Sequence, residues 1–156
     1  MLEKCKSAKE RWGGVSEIID GWLEERQELI SQFVHIPEQH INEDLNNRVQ
    51  GFCQVLMDYL SSGHFEVYEQ LLREGSDFAD GSLEEAQKLL PKIQLSTDIA
   101  LDFNDDFSSL INPTVQQIRD FSERLSQLGE SLEDRFELED QMIAVLHTSH
   151  KDLVEG

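Results

Sequence analysis

The chain has 156 residues, with 13 Lys and Arg against 32 Asp and Glu, for a net charge of −19. That length suits one domain over 1–156, and 38% hydrophobic residues suffice for a core. So acidic a surface repels phosphate, which argues against direct binding of nucleic acid or an anionic membrane and favours a basic partner.

Leu2–Arg11 reads as a short polar segment ended by Gly13-Gly14. From Val15 onward, Val15, Ile18, Ile19, Trp22, Leu29, Ile30 and Phe33 recur at three- and four-residue steps, one face of a helix. Arg26 falls in the middle of that face. Val34–Ile41, which contains Pro37, breaks the period and reads as a loop, with Asn42 placed to cap the next helix. Leu45, Val49, Phe52, Cys53, Leu56 and Leu60 form the next apolar face. It survives Ser61-Ser62-Gly63 and continues through His64, Val67 and Leu71. The expectation is one helix to about Arg73, bent at Gly63, with Tyr68 at the edge of its stripe. Asp58 lies off the stripe, toward solvent.

Glu74–Gly81 reads as a loop. Ser82-x-x-Glu85 has the form of a capping box opening a short helix that stops near Pro91. Ile93, Ala100, Phe103, Phe107, Leu110 and Ile111 share a face. Asn112-Pro113 reads as a cap followed by a first-turn proline. Val115, Ile118, Leu125, Leu128, Leu132, Phe136, Ile143 and Leu146 then keep helical register to about His150, with a bend allowed at Gly129 and Glu139 central in the stripe. No segment sustains two-residue alternation, so no strands are expected. The pattern predicts an all-α fold, an antiparallel up-down four-helix bundle with additional short helices.

Three stripe positions are ionisable: Arg26, His64 and Glu139. Unpaired buried charge is costly, so Arg26 and Glu139 are expected to meet inside the bundle, with His64 and Tyr68 nearby. Two readings of that spot stand side by side. One is a polar network that fixes helix register; the other is a small-ligand or metal-sensing pocket. GHFEVYEQLL (Gly63–Leu72) has a partial echo in DRFELEDQMI (Asp134–Ile143), with Arg135 in place of His64 and Glu139 in place of Tyr68. The first copy looks like a hemerythrin-type iron motif, but its metal-ligand slot holds Tyr68. Di-iron bundles need Glu-x-x-His pairs that this chain lacks, and His147 and His150 fall at what reads as a fraying end. No metal, cofactor or catalytic residue is therefore expected: there is no phosphate loop, no GxSxG and no Cys/His pairing, so the chain does not read as an enzyme. Cys5 and Cys53 read as free thiols in a reducing cytosol. The N-terminus lacks the apolar run of a signal peptide, and no apolar stretch approaches the roughly eighteen residues of a membrane span, so a cytoplasmic location is expected.

ERWGGVSEIIDGWLEERQEL (Glu10–Leu29) and FCQVLMDYLSSGHFEVYEQL (Phe52–Leu71) together resemble the Rsd/AlgQ family. RFELEDQMIAVLHTSHK (Arg135–Lys151) is similar to the AlgQ branch in particular. The resemblance spans nearly the whole chain. It implies a cytoplasmic, all-helical regulator of bacterial transcription that binds region 4 of the housekeeping sigma factor. Such binding blocks the sigma factor's contacts with core RNA polymerase and the −35 promoter element, typically in stationary phase. The AlgQ branch is associated with alginate control. A monomer in a one-to-one complex is expected. Asp58 lies within the family-like string, with Ser61 and Phe65 beside it by helical phase, so these three are the expected sigma contact.

Overall fold

The computed structural model describes residues 8–36, 43–111, 113–151 and 153; Cys5, Pro37, Asn42 and Asn112 lie outside them. The stripes become helices: α1 (Ala8–His35), α2 (Glu43–Ser62), α3 (Tyr68–Gly75), α4 (Ser82–Gln87), α5 (Leu90–Phe107) and α6 (Val115–Leu146). There are no strands among the described residues, and no helix is long and apolar enough to cross a membrane.

Side-chain pairs give the topology. Trp22 stacks on Tyr59 and Phe33 lies against Phe52, so α1 and α2 run in opposite directions. Asn46 binds the Leu110 amide and His64 meets Thr97, which reverses α5 against α2. Phe107 packs on Phe121 and Ser96 on Arg135, reversing α6 against α5. Trp12 reaches His147 and Arg26 reaches Glu139, so α6 also runs against α1 and closes the square. The fold is the up-down four-helix bundle that the periodicity predicts.

Local punctuation departs from expectation in four places. Helix α1 runs straight through Gly13-Gly14. The helical cost of each glycine, about 1 kcal/mol, is offset by anchors on both sides, the Trp12 indole bonded to the His147 carbonyl and the fully buried Val15. The Ser82 capping box does not form: Gly81, at φ 85, is the N-cap, and Asp80 accepts from the Ser82 amide at 3.1 Å. Pro91 does not stop α4 but sits in the first turn of α5, where its missing N–H leaves no intrahelical bond unmade. The cap of α6 is Thr114, in a reciprocal capping box with Gln117, and Pro113 precedes it rather than opening the helix. Consequently Val115 and Ile111 are exposed, and α6 buries Phe121, Leu125, Leu128, Leu132, Arg135, Glu139, Met142 and Leu146.

Between α2 and α3 the chain stays helical but makes a π turn over Gly63–Val67, closed by the Tyr68 amide on the Gly63 carbonyl. The bend expected at Gly63 is thus an extra residue wound into one turn. In uninterrupted α-helix Tyr68 would stand about 120° around the axis from Leu56. The π turn delays everything after it, and Tyr68 arrives in the core with 3% of its surface exposed.

Candidate functional site

Four helices bring their polar stripe residues to one point in the bundle. Glu139 of α6 is 1% exposed, and each of its carboxylate oxygens is held by one tyrosine and one arginine. Oε1 accepts from the Tyr59 hydroxyl at 2.6 Å and from Arg26 Nη2 at 3.3 Å. Oε2 accepts from the Tyr68 hydroxyl and from Arg135 Nε at 3.1 Å. The clasps are cross-linked, since Arg26 Nε donates to Tyr59 at 3.0 Å and Arg135 Nη2 donates to Tyr68 at 2.9 Å.

The outer edges of the network are also occupied. Arg26 Nη1 reaches Asp140 at 2.7 Å, toward solvent. Arg135, fully buried, donates through Nη1 to Thr97 at 2.6 Å and Ser96 at 3.0 Å. Thr97 Oγ1 also lies 3.3 Å from the Ile93 carbonyl and 3.0 Å from His64 Nε2, which ties His64 to the edge of the network. Two guanidinium groups thus face two carboxylates, and the charges balance within the cluster. Burial pushes the Glu139 carboxyl up, against the pull of Arg135, Tyr59, Tyr68 and Arg26. Burial also pushes both phenols up, with the Glu139 charge adding to it. His64 is held below its usual value by burial and by Arg135.

Arg26, His64, Tyr68 and Glu139 therefore come together as a set. Tyr59, Ser96, Thr97, Arg135 and Asp140 belong to the same network, which the sequence pattern alone does not assign them to. Arg135 carried a signal, because it stands three residues after Leu132 and four before Glu139, on the stripe itself. Tyr59 likewise stands three residues after Leu56.

The surface triplet lies on the outside of the same helical rod. Asp58 and Ser61 are exposed on α2, and Asp58 accepts from Gln54 Nε2 at 2.9 Å. Phe65, in the π turn, is 80% exposed, the most of any large apolar side chain among the described residues.

A second polar cluster corrects the expectation of a fraying C-terminal end. His147 and His150 are buried. His147 Nδ1 lies 2.8 Å from both oxygens of the buried Glu74, and its ring stacks on Trp12. His150 stacks on Phe78 and contacts Asp80 at 2.7 Å. Hydrogen bonds from Ser82 and His150 hold the Asp80 carboxyl down at about 2. Among the described residues no group of three or more His, Cys, Asp and Glu side chains is placed to hold a metal ion.

Known proteins match this chain along most of its length. A family model described as the regulator of the RNA polymerase sigma(70) subunit, Rsd/AlgQ, matches residues 1–147. A protein of Enterobacter sp. (strain 638) called "Regulator of sigma D" is 37% identical over 151 residues, covering 93% of this chain and 89% of that relative. A protein of Yersinia enterocolitica with the same name is 32% identical over 148 residues, covering 92% and 88%. One of Yersinia pestis, also so named, is 32% identical over 92% of this chain. No solved structure matches. The match by both routes means that this chain belongs to the Rsd/AlgQ family, regulators of the RNA polymerase sigma(70) subunit rather than enzymes.

Proposed function

We propose that this chain is an anti-sigma factor that binds region 4 of the housekeeping sigma factor, one to one, in the cytoplasm. It acts by occlusion. The bound sigma factor loses access to core RNA polymerase and to the −35 promoter element, and no covalent chemistry is involved. The observation that carries this reading is Phe65: an aromatic ring 80% exposed, on the same helical rod as the exposed carboxylate of Asp58 and hydroxyl of Ser61. Aromatic anchors beside hydrogen-bonding groups dominate the energy of protein interfaces. The −19 charge supports a basic, DNA-reading partner, because acidic and basic surfaces steer each other into encounter.

Calorimetric titration with the full-length sigma factor tests it, together with competition by core polymerase. Asp58→Ala and Phe65→Ala are expected to weaken binding about tenfold or more with the melting temperature unchanged. Wild-type affinity in both variants would remove this face from the interface. Simultaneous binding of the chain and core polymerase to one sigma molecule would overturn occlusion.

A further inference from the structure

The π turn and the buried network occupy the same stretch of chain, and Phe65 stands at their junction. A π turn is a costly way to wind a helix and persists only where its surroundings hold it. Three contacts hold this one. Gly63 has no side chain where the Trp22 and Tyr68 rings close on the helix: a Cβ there would sit 3.3 Å from Trp22 and 3.4 Å from Tyr68. His64, the residue before Phe65, is bonded through Nε2 to Thr97 of α5. Tyr68, three residues after Phe65, is bonded through its hydroxyl to Glu139 and Arg135 of α6. Phe65 makes the outward bulge of a turn whose two shoulders are tied inward.

Relaxation of this turn to α geometry would advance the chain beyond it by up to about 100°, one residue's worth of rotation. It would carry Tyr68 away from Glu139 and turn the Phe65 ring relative to Asp58 and Ser61. The register of the turn and the arrangement of the surface face are therefore one variable.

We infer that Tyr68, with His64 and the Arg135–Glu139 pair behind it, is a positioning residue for sigma binding: the buried network sets the π register and so sets how Phe65 is presented to the sigma factor. The inference rests on the reading of Asp58, Ser61 and Phe65 as the sigma-binding face. Network residues then govern affinity without touching the partner.

The test is a double-mutant cycle of Tyr68→Phe and Phe65→Ala, with affinity for the full-length sigma factor as the readout and circular dichroism as the check of folding. Tyr68→Phe keeps the ring against Trp22 and removes both hydroxyl contacts. It is expected to weaken binding about five- to tenfold in the wild-type background and to have little effect once Phe65 is already alanine. A loss in affinity that multiplies unchanged through the double variant would mean that Tyr68 does not act through Phe65, and would overturn the proposal. Wild-type affinity in Tyr68→Phe, with Phe65→Ala weakened, would overturn it too while leaving the binding face in place. Wild-type affinity in Phe65→Ala would instead sink the face, and this inference with it. Should Tyr68→Phe fail to fold, Thr97→Val cuts the His64 and Arg135 contacts at the edge of the network and is read in the same cycle.

Discussion

Glu139 is a carboxylate removed from solvent, and its four donors replace what hydration would supply. Such a cluster adds little net stability over an apolar core, but it is severe when half is taken away. Glu139→Ala strands the fully buried Arg135 guanidinium and leaves Arg26 with Asp140 alone, and is expected to cost about 3–5 kcal/mol in urea unfolding. Arg26→Ala leaves Glu139 still paired with Arg135 and should cost less than Glu139→Ala; the reverse order would contradict this pairing. The tyrosines add a pH signature. Their folded-state values lie above the ordinary 10.0, so the unfolded chain releases those protons first. Stability is full below that value and is lost as pH rises through it, by up to about 1.4 kcal/mol per pH unit for each phenol. Urea midpoints followed from about pH 9 to 11 should fall more steeply for the wild type than for the Tyr59→Phe, Tyr68→Phe double variant. Cys53 has no such partner among the described residues: burial pushes its thiol up to about 11, so in a Cys5→Ser background the folded protein should resist thiol reagents at neutral pH.

Among the elements, glycines with the same helical propensity should respond oppositely to substitution. Gly21 lies in the interior of α1 with nothing within 4 Å of where a Cβ would stand, so Gly21→Ala should stabilise by about 0.5–1 kcal/mol. Gly63→Ala brings the same propensity gain but meets Trp22, which is stacked on Tyr59, and Tyr68, which is tied to Glu139. Neither ring is free to retreat, so a net loss is expected in the same unfolding assay. Equal signs for the two variants would contradict the packing around the π turn. Thr114→Ala removes the α6 cap and should cost about 1 kcal/mol. Helix faces are readable from spacing because burial imposes the 3.6-residue period directly. Helix ends are not, because they depend on partners distant in sequence: His147 holds Trp12 beside Gly13-Gly14, and Asp80 supplies the bond that the Ser82 side chain does not. The network is half readable for a related reason. Arg26 and Glu139 stand out against apolar neighbours. Arg135 instead reads as a substituted counterpart of His64 in the echo, and Tyr59 as ordinary core. The two echo segments turn out to pack on each other: Tyr68 bonds both Arg135 and Glu139, its own counterpart in the echo.

For the molecule as a whole, charge and topology divide the work. The bundle is braced at two levels, by the Glu139 network and by the Glu74–His147–Trp12 cluster that joins α3, α6 and α1. Its acidic exterior acts at longer range. Association with a basic partner should slow markedly as ionic strength rises, while dissociation changes little, because screening shortens the reach of the field without altering packed contacts. Stopped-flow rates at several salt concentrations separate the two; an on-rate indifferent to salt would mean that the charge has no part in encounter.

The stacking around Trp22 has a practical consequence. Trp22 is 2% exposed, lies 4.9 Å from the Tyr59 ring and edge-on to Tyr68, and carries the Arg26 guanidinium over its face at 5.4 Å. The chain contains only two tryptophans, so Trp12→Phe leaves a protein with a single indole. The emission of that indole will follow the π turn and the network together, which makes the interior of the bundle its own optical probe.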